Sequence, residues 1–117
     1  MSTEKTVYMN LQPAPFDWMR SGAKKYELRL WDEKRRGLNI GDIIAFWCDD
    51  KDNPVRARVV GLVVAETFEK LFDIIPFTQC ICDDSLGITQ KNNGMDKFYP
   101  IADQIANGVV GIKVELI

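Results

Sequence analysis

The chain has 117 residues, 46% of them apolar and 27% charged, with a formal net charge of −2. That is the composition of one soluble globular domain burying roughly two-thirds of its unfolded surface; it excludes a disordered chain, a membrane span and a global basic field for gathering nucleic acid. No histidine is present, which removes the usual base near neutral pH, the Ser-His and Cys-His pairs and the commonest metal ligand.

The opening Met1-Ser2-Thr3-Glu4-Lys5 lacks an apolar signal core, so the cytoplasm is the expected compartment. Thr6 to Leu11 reads as a short strand, with Val7, Met9 and Leu11 alternating against Thr6, Tyr8 and Asn10. Gln12-Pro13-Ala14-Pro15 leaves the sheet, and Pro15 suits the first turn of a helix running to about Arg20. Gly22 ends that helix in the manner of a C′ glycine. Lys25 to Leu30 then alternates strictly. Tyr26, Leu28 and Leu30 form an apolar face, and Lys25, Glu27 and Arg29 form a polar one, which is the pattern of a half-buried strand. Lys24 stands at the mouth of this strand. The plainest reading of the polar face is a solvated row of cross-strand ion pairs, contributing little to stability. Trp31 to Gly37 is a charged turn holding the chain's one basic cluster, Lys34-Arg35-Arg36, beside that polar face.

Leu38 to Asp42 reads as a turn, Gly41 supplying a positive φ and Asp42 a side-chain acceptor. Ile43 to Cys48 is an apolar strand, followed by a polar hairpin loop to Pro54. Val55 to Glu66 is the longest strand, either buried on both faces or bent at Gly61 as barrel strands are. Thr67 to Phe72 reads as a helix with Thr67 as N-cap, stopped by Pro76. Phe77 to Pro100 has weak periodicity; short helices near Phe77–Cys82 and Met95–Tyr99 flank an Asn92-Asn93-Gly94 turn. Ile101 to Asn107 is a further short helix ended by Gly108. Val109 to Ile117 closes the chain, with Val110, Ile112, Val114 and Leu116 expected to face inward. Cys48, Cys80 and Cys82 are odd in number and lack metal-ligand spacing, so free thiols and no bound metal are expected.

Five strands with short helices between them, not arranged in βαβ units, predict an α+β fold. The expected architecture is a mixed, barrel-like sheet of five or six strands with short peripheral helices, residues 1–117 forming one domain. A terminal strand this apolar belongs inside a sheet, and the last strand is expected beside the first.

Several segments together resemble the ASCH domain family, small relatives of the PUA-type RNA-binding barrels. They are Met9-Asn10-Leu11-Gln12-Pro13 with Phe16; Ser21-Gly22-x-Lys24-x-x-Glu27-x-Arg29; and Ile40-Gly41-Asp42-x-Ile44-x-Phe46. Phe68-Glu69-x-Leu71-Phe72 and Gly108-Val109-Val110-Gly111-Ile112 extend the resemblance over nearly the whole chain, especially toward the short stand-alone bacterial members. The resemblance implies a PUA-like barrel with a cleft floored by the signature strand, binding RNA or a modified nucleoside. Some similar members are amidohydrolases that deacetylate acetylcytidine, with a lysine at the position of Lys24 as base and a threonine three residues later as nucleophile. Here that later position is Glu27, and a carboxylate replaces a hydroxyl nucleophile only with a change of mechanism.

On these grounds the expected function is binding of a nucleotide or single-stranded RNA, without a cofactor. Arg29 offers a planar fork, Lys24 and Lys25 point charges, Glu27 an acceptor for a base amino group, and Gln12 both donor and acceptor. Trp31 and Tyr99, with Trp18 and Trp47, are the candidate stacking rings. Two alternatives stand beside this: a hydrolase acting on a modified nucleoside or on RNA through Lys24 and Glu27, and a protein-interaction module in which the charged strand is structural.

Overall fold

The computed structural model describes residues 5–82, 89–91 and 93–117. Five strands, β1 (Thr6–Asn10), β2 (Tyr26–Leu30), β3 (Ile43–Trp47), β4 (Val55–Ala65) and β5 (Val109–Leu116), form one mixed sheet in the order β1-β3-β4-β5-β2. Three helices, α1 (Pro13–Ser21), α2 (Phe68–Leu71) and α3 (Ile101–Asn107), lie around it, with short 3₁₀ turns at Arg35–Gly37, Phe77–Gln79 and Met95–Lys97. The fold is α+β, and the sheet curls into a half-barrel.

The curl begins in β4. Its register against β5 slips between Val59 and Gly61, a bulge that bends the strand where the sequence places a glycine. A Cβ on Gly61 would stand 3.2 Å from the Lys113 Cβ, so the missing side chain lets β5 pass close to the bend. The alternating residues Val55, Ala57 and Val59 point inward, meeting Met9, Ile44, Phe46, Val110, Ile112 and Val114 in the barrel core. Phe16 and Met19 of α1 plug this core. Both prolines of α1 sit in its first turn, where a missing N–H costs nothing, so the helix starts at Pro13 and not near Pro15 as its sequence suggests. Gly22 ends it in the left-handed region (φ +86°), its N–H donating to the Met19 carbonyl at 3.1 Å.

A second core covers the other face of β5 and β2. Tyr26, Leu28 and Val109 pack there under Phe68, Leu71 and Phe72, with Ile75, Cys80 and Met95. Because β5 is buried on both faces it needs a neighbour on each edge; β4 takes one and β2 the other. The expectation that the last strand lies beside the first is therefore wrong: β1 instead pairs in parallel with β3, and β1 and β2 are the two free edges. Leu116, expected inward, is 44% exposed, because the ladder with β2 stops at Lys113 and leaves the end of β5 paired on one side. The expected turn at residues 92–94 lies partly outside the described residues.

The turn before β3 forms as the sequence indicates. Gly41 has φ +99°, and the buried Asp42 carboxylate accepts from the Asn39 N–H at 2.8 Å and pairs with the Lys5 ammonium at 3.1 Å. Burial pushes the Asp42 carboxyl up, but the bonds from Asn39 and Lys5 outweigh it and hold the group below its ordinary value. A carboxyl lowered in the folded state stabilises the fold above the unfolded value near pH ~4, and that stability is lost as pH falls through the lowered value. Asp42→Asn is expected to cost about 1–3 kcal/mol at neutral pH and to flatten the acid limb of stability. Urea melts at pH values on both sides of the titration check this, and an unchanged acid limb contradicts it.

Candidate nucleotide-binding cleft

The two free edges of the sheet approach each other without pairing, and the signature residues of β2 fill the seam. Glu27 and Arg29 stand in register with Ile112 and Val110, both of which face the barrel core. The polar face of β2 thus looks into the mouth of the half-barrel and not out to solvent, which corrects the expectation of a solvated row. Lys24 is 5% and Glu27 4% exposed.

Glu27 is held from both sides. Its Oε2 accepts from Arg29 Nε at 2.9 Å and lies 2.7 Å from Arg29 Nη2. Its Oε1 accepts from the Leu28 N–H at 3.2 Å and lies 3.6 Å from Lys24 Nζ. Lys24 Nζ also donates to the Cys80 carbonyl at 2.7 Å. Arg29 Nη2 donates to the Asn10 carbonyl at 2.8 Å, which spans the seam from β2 to β1. Burial pulls the Arg29 guanidinium down, but Glu27, with Tyr99 beside it, outweighs this and holds it above its ordinary value. The cluster carries two cations against one carboxylate, a net positive charge in a nearly dry site.

Of the residues singled out in the sequence, Lys24, Glu27, Arg29 and Tyr99 come together here. Tyr99 faces Arg29 and packs its ring 5.6 Å from that of Phe68. The others stand apart from this cluster. Gln12 is exposed at the N-cap of α1 and makes no side-chain cap bond. Lys25 is exposed and its side chain lies back toward Gly22; with Lys24, Lys113, Glu115 and Val60 it lines a hollow of about 570 Å³ to which, of the cluster, Lys24 alone contributes. Trp31 is half-buried against the barrel core. The two arginines of the basic run are engaged locally: Arg36 donates to the Trp31 and Asn107 carbonyls at 2.7 and 3.0 Å, and Arg35 forms an ion pair with the Asp32 carboxylate at 3.1 Å. The residues that sequence reasoning missed, Asn10 and Cys80, act through main-chain oxygens, which leave no signature in side-chain type.

Among the described residues no group of three or more His, Cys, Asp or Glu side chains could hold a metal ion. The three cysteines are free. Burial pushes the Cys80 thiol up to about 12, against an opposing pull from Lys24, and pushes Cys82 in the same direction. Their sulfurs donate to the Pro76 and Thr78 carbonyls, each at 3.3 Å. A thiol this high is protonated and unreactive through the neutral range. Cys80 is expected to resist iodoacetamide at about pH 8 in the native protein and to react at once in denaturant. Peptide mapping by mass spectrometry reads this, and rapid native labelling of Cys80 contradicts it.

A curled five-stranded sheet plugged by one helix, with a charged strand at its open seam, defines a small α+β barrel-like protein. The ASCH domain profile matches residues 9–117, and the chain belongs to the ASCH domain family. The search of curated protein sequences gives no match. Among solved structures, the chain is similar to the hypothetical protein PH0355 (crystal structure, TM-score 0.80, 28% identity, covering 97% of this chain and 99% of that one). It is similar also in fold to protein PF0455 from Pyrococcus furiosus (solution NMR structure, TM-score 0.74, 24% identity, covering 96% and 97%). Among the described residues no helix is long and apolar enough to cross a membrane.

Proposed function

We propose that this chain binds a nucleotide or a short single-stranded RNA in the seam between β1 and β2, as one cytoplasmic domain of the short stand-alone ASCH type. The observation that carries the reading is the Lys24–Glu27–Arg29 cluster, buried where two sheet edges fail to close. Burying ions is costly, and replacing such a group by packed apolar residues is often neutral or stabilising, so structure alone explains it poorly. Buried charge of this kind gathers at sites that serve a ligand. Arg29 presents a fork suited to a phosphate or a guanine edge, and Tyr99 is a ring on the cleft wall for a base.

A second reading, hydrolysis of a modified nucleoside, rests on the 3.6 Å approach of Lys24 Nζ to Glu27 Oε1. In that reading Glu27 takes a proton from water, and Lys24 stands against the oxyanion formed at the attacked carbonyl.

Arg29→Lys separates these roles from a structural one, since it keeps a cation beside Glu27 and removes the fork. It is expected to weaken nucleotide or RNA binding by about 1–3 kcal/mol. Glu27→Gln is expected to preserve most phosphate-driven binding and to abolish any hydrolysis that needs a carboxylate. Calorimetric binding to a nucleoside, nucleotide and RNA panel, with product analysis, provides the check. Unaltered binding in Arg29→Lys with a lowered melting temperature assigns the cluster to structure alone.

A further inference from the structure

The outer face of the same sheet carries rings that neither core uses. Tyr8 on β1 is 65% exposed and Trp47 on β3 is 37% exposed. In the parallel β1–β3 ladder Tyr8 pairs with Ala45 and Asn10 with Trp47, so Tyr8, Ala45 and Trp47 share one face. Ala45 in turn opposes the exposed Arg56 of β4. The alternate residues Met9, Phe46, Val55 and Ala57 point the other way into the barrel. Two rings and a guanidinium therefore surround a single alanine, with diagonal neighbours about 7–8 Å apart.

None of these three groups is satisfied by the others. The ring pairs among the described residues are Phe68–Tyr99 and Phe72–Phe77, and the cation–ring contact among them is Arg20 over Phe16. The Arg56 guanidinium makes no hydrogen bond or ion pair among the described residues. We propose that this face is a second contact surface for single-stranded nucleic acid, with bases stacking on Tyr8 and Trp47 and a phosphate meeting Arg56. The inference rests on the nucleotide-binding reading of the seam and adds to it a second surface, along which a strand would run beyond the nucleotide held there.

Two features choose this occupant. The exposed groups are flat rings and a cation, the pair that holds bases and backbone together without regard to sequence, and no aliphatic side chain is exposed between them. The face is also continuous with the seam. Trp47 pairs with Asn10, so the rings begin one strand spacing (about 4.8 Å) from the residue whose carbonyl accepts from Arg29.

The test measures uridine monophosphate and a fluorescein-labelled oligouridylate of about eight residues at low salt, a length within the usual footprint of such surfaces. Tyr8→Ala is expected to weaken the oligonucleotide about 5- to 100-fold and to leave the mononucleotide unchanged, while Tyr8→Phe retains wild-type affinity. Arg56→Gln is expected to weaken the oligonucleotide and flatten its salt dependence. Loss of oligonucleotide binding in Arg29→Lys but not in Tyr8→Ala or Arg56→Gln overturns the outer face and leaves the seam reading standing. Loss in Tyr8→Ala but not in Arg29→Lys supports the outer face and overturns the seam. No binding by the wild-type protein overturns both, and a dimer that Tyr8→Ala dissolves, with no nucleic acid bound, assigns the face to a second copy of the chain.

Discussion

The structure depends on one carboxylate placed where a barrel would otherwise have to close. Glu27 lies on the free edge of β2 with a cation on each side, and Arg29 reaches past it to the Asn10 carbonyl on the opposite edge. Closing the barrel by a backbone ladder would require β1 and β2 to run side by side. The connection between them is α1, and its Phe16 and Met19 occupy the core between the strands. A side-chain bridge is what remains. Removing one partner of such a buried pair strands a charge, at a cost of roughly 3–5 kcal/mol, so Glu27 and Arg29 hold each other in place.

The same arrangement accounts for how the edges are protected. An open edge strand offers unpaired N–H and C=O groups to any other chain. On the β2 side the Lys25 N–H donates to the Gln79 carbonyl at 2.7 Å, and Lys24 reaches the Cys80 carbonyl, so the turn at Phe77–Gln79 and Cys80 after it are drawn against the edge. On the β1 side Arg29 occupies the last carbonyl, and the Leu11 N–H turns inward to Trp47 at 2.7 Å. The wall of the cleft is therefore built from main chain that the charged residues themselves recruit. This couples the second core, which Cys80 and Met95 belong to, to the geometry of the site.

Much of the fold was legible because the local rules agree with the global one. Gly22 and Gly41 stand at positive φ where the turn chemistry demanded it, Thr67 caps α2 by accepting from the Lys70 N–H, and Gly61 marks the bend in β4. Strand order was not legible. The apolar content of Val109–Leu116 places β5 inside a sheet, but nothing in it names the neighbours. The site was half legible for a related reason. Period two put Glu27 and Arg29 on one face of β2, yet a polar face reads as solvated until the curl turns it toward the barrel mouth. The spread of the other candidates follows from topology too: Lys25 and Arg29 share a strand face on paper, but Lys25 precedes the first residue of β2, and its side chain lies back toward Gly22.

The bonds of Glu27 weigh on what the cleft can do. A general base needs a lone pair free to meet a water proton. Here Oε2 is taken by the two donors of Arg29, and Oε1 accepts from Leu28 while facing Lys24. With both oxygens engaged, Glu27 is better suited to orienting its neighbours than to moving a proton. Arg29 and Lys24, by contrast, have more donors than these contacts use, since a guanidinium offers five N–H bonds and an ammonium three. The unspent hydrogen-bonding capacity of the cluster is thus on its cations. An incoming phosphate or base edge can be met by those donors without dismantling the bridge that holds the seam, whereas hydrolysis would first have to free a carboxylate oxygen from it. That asymmetry favours recognition over catalysis at this site.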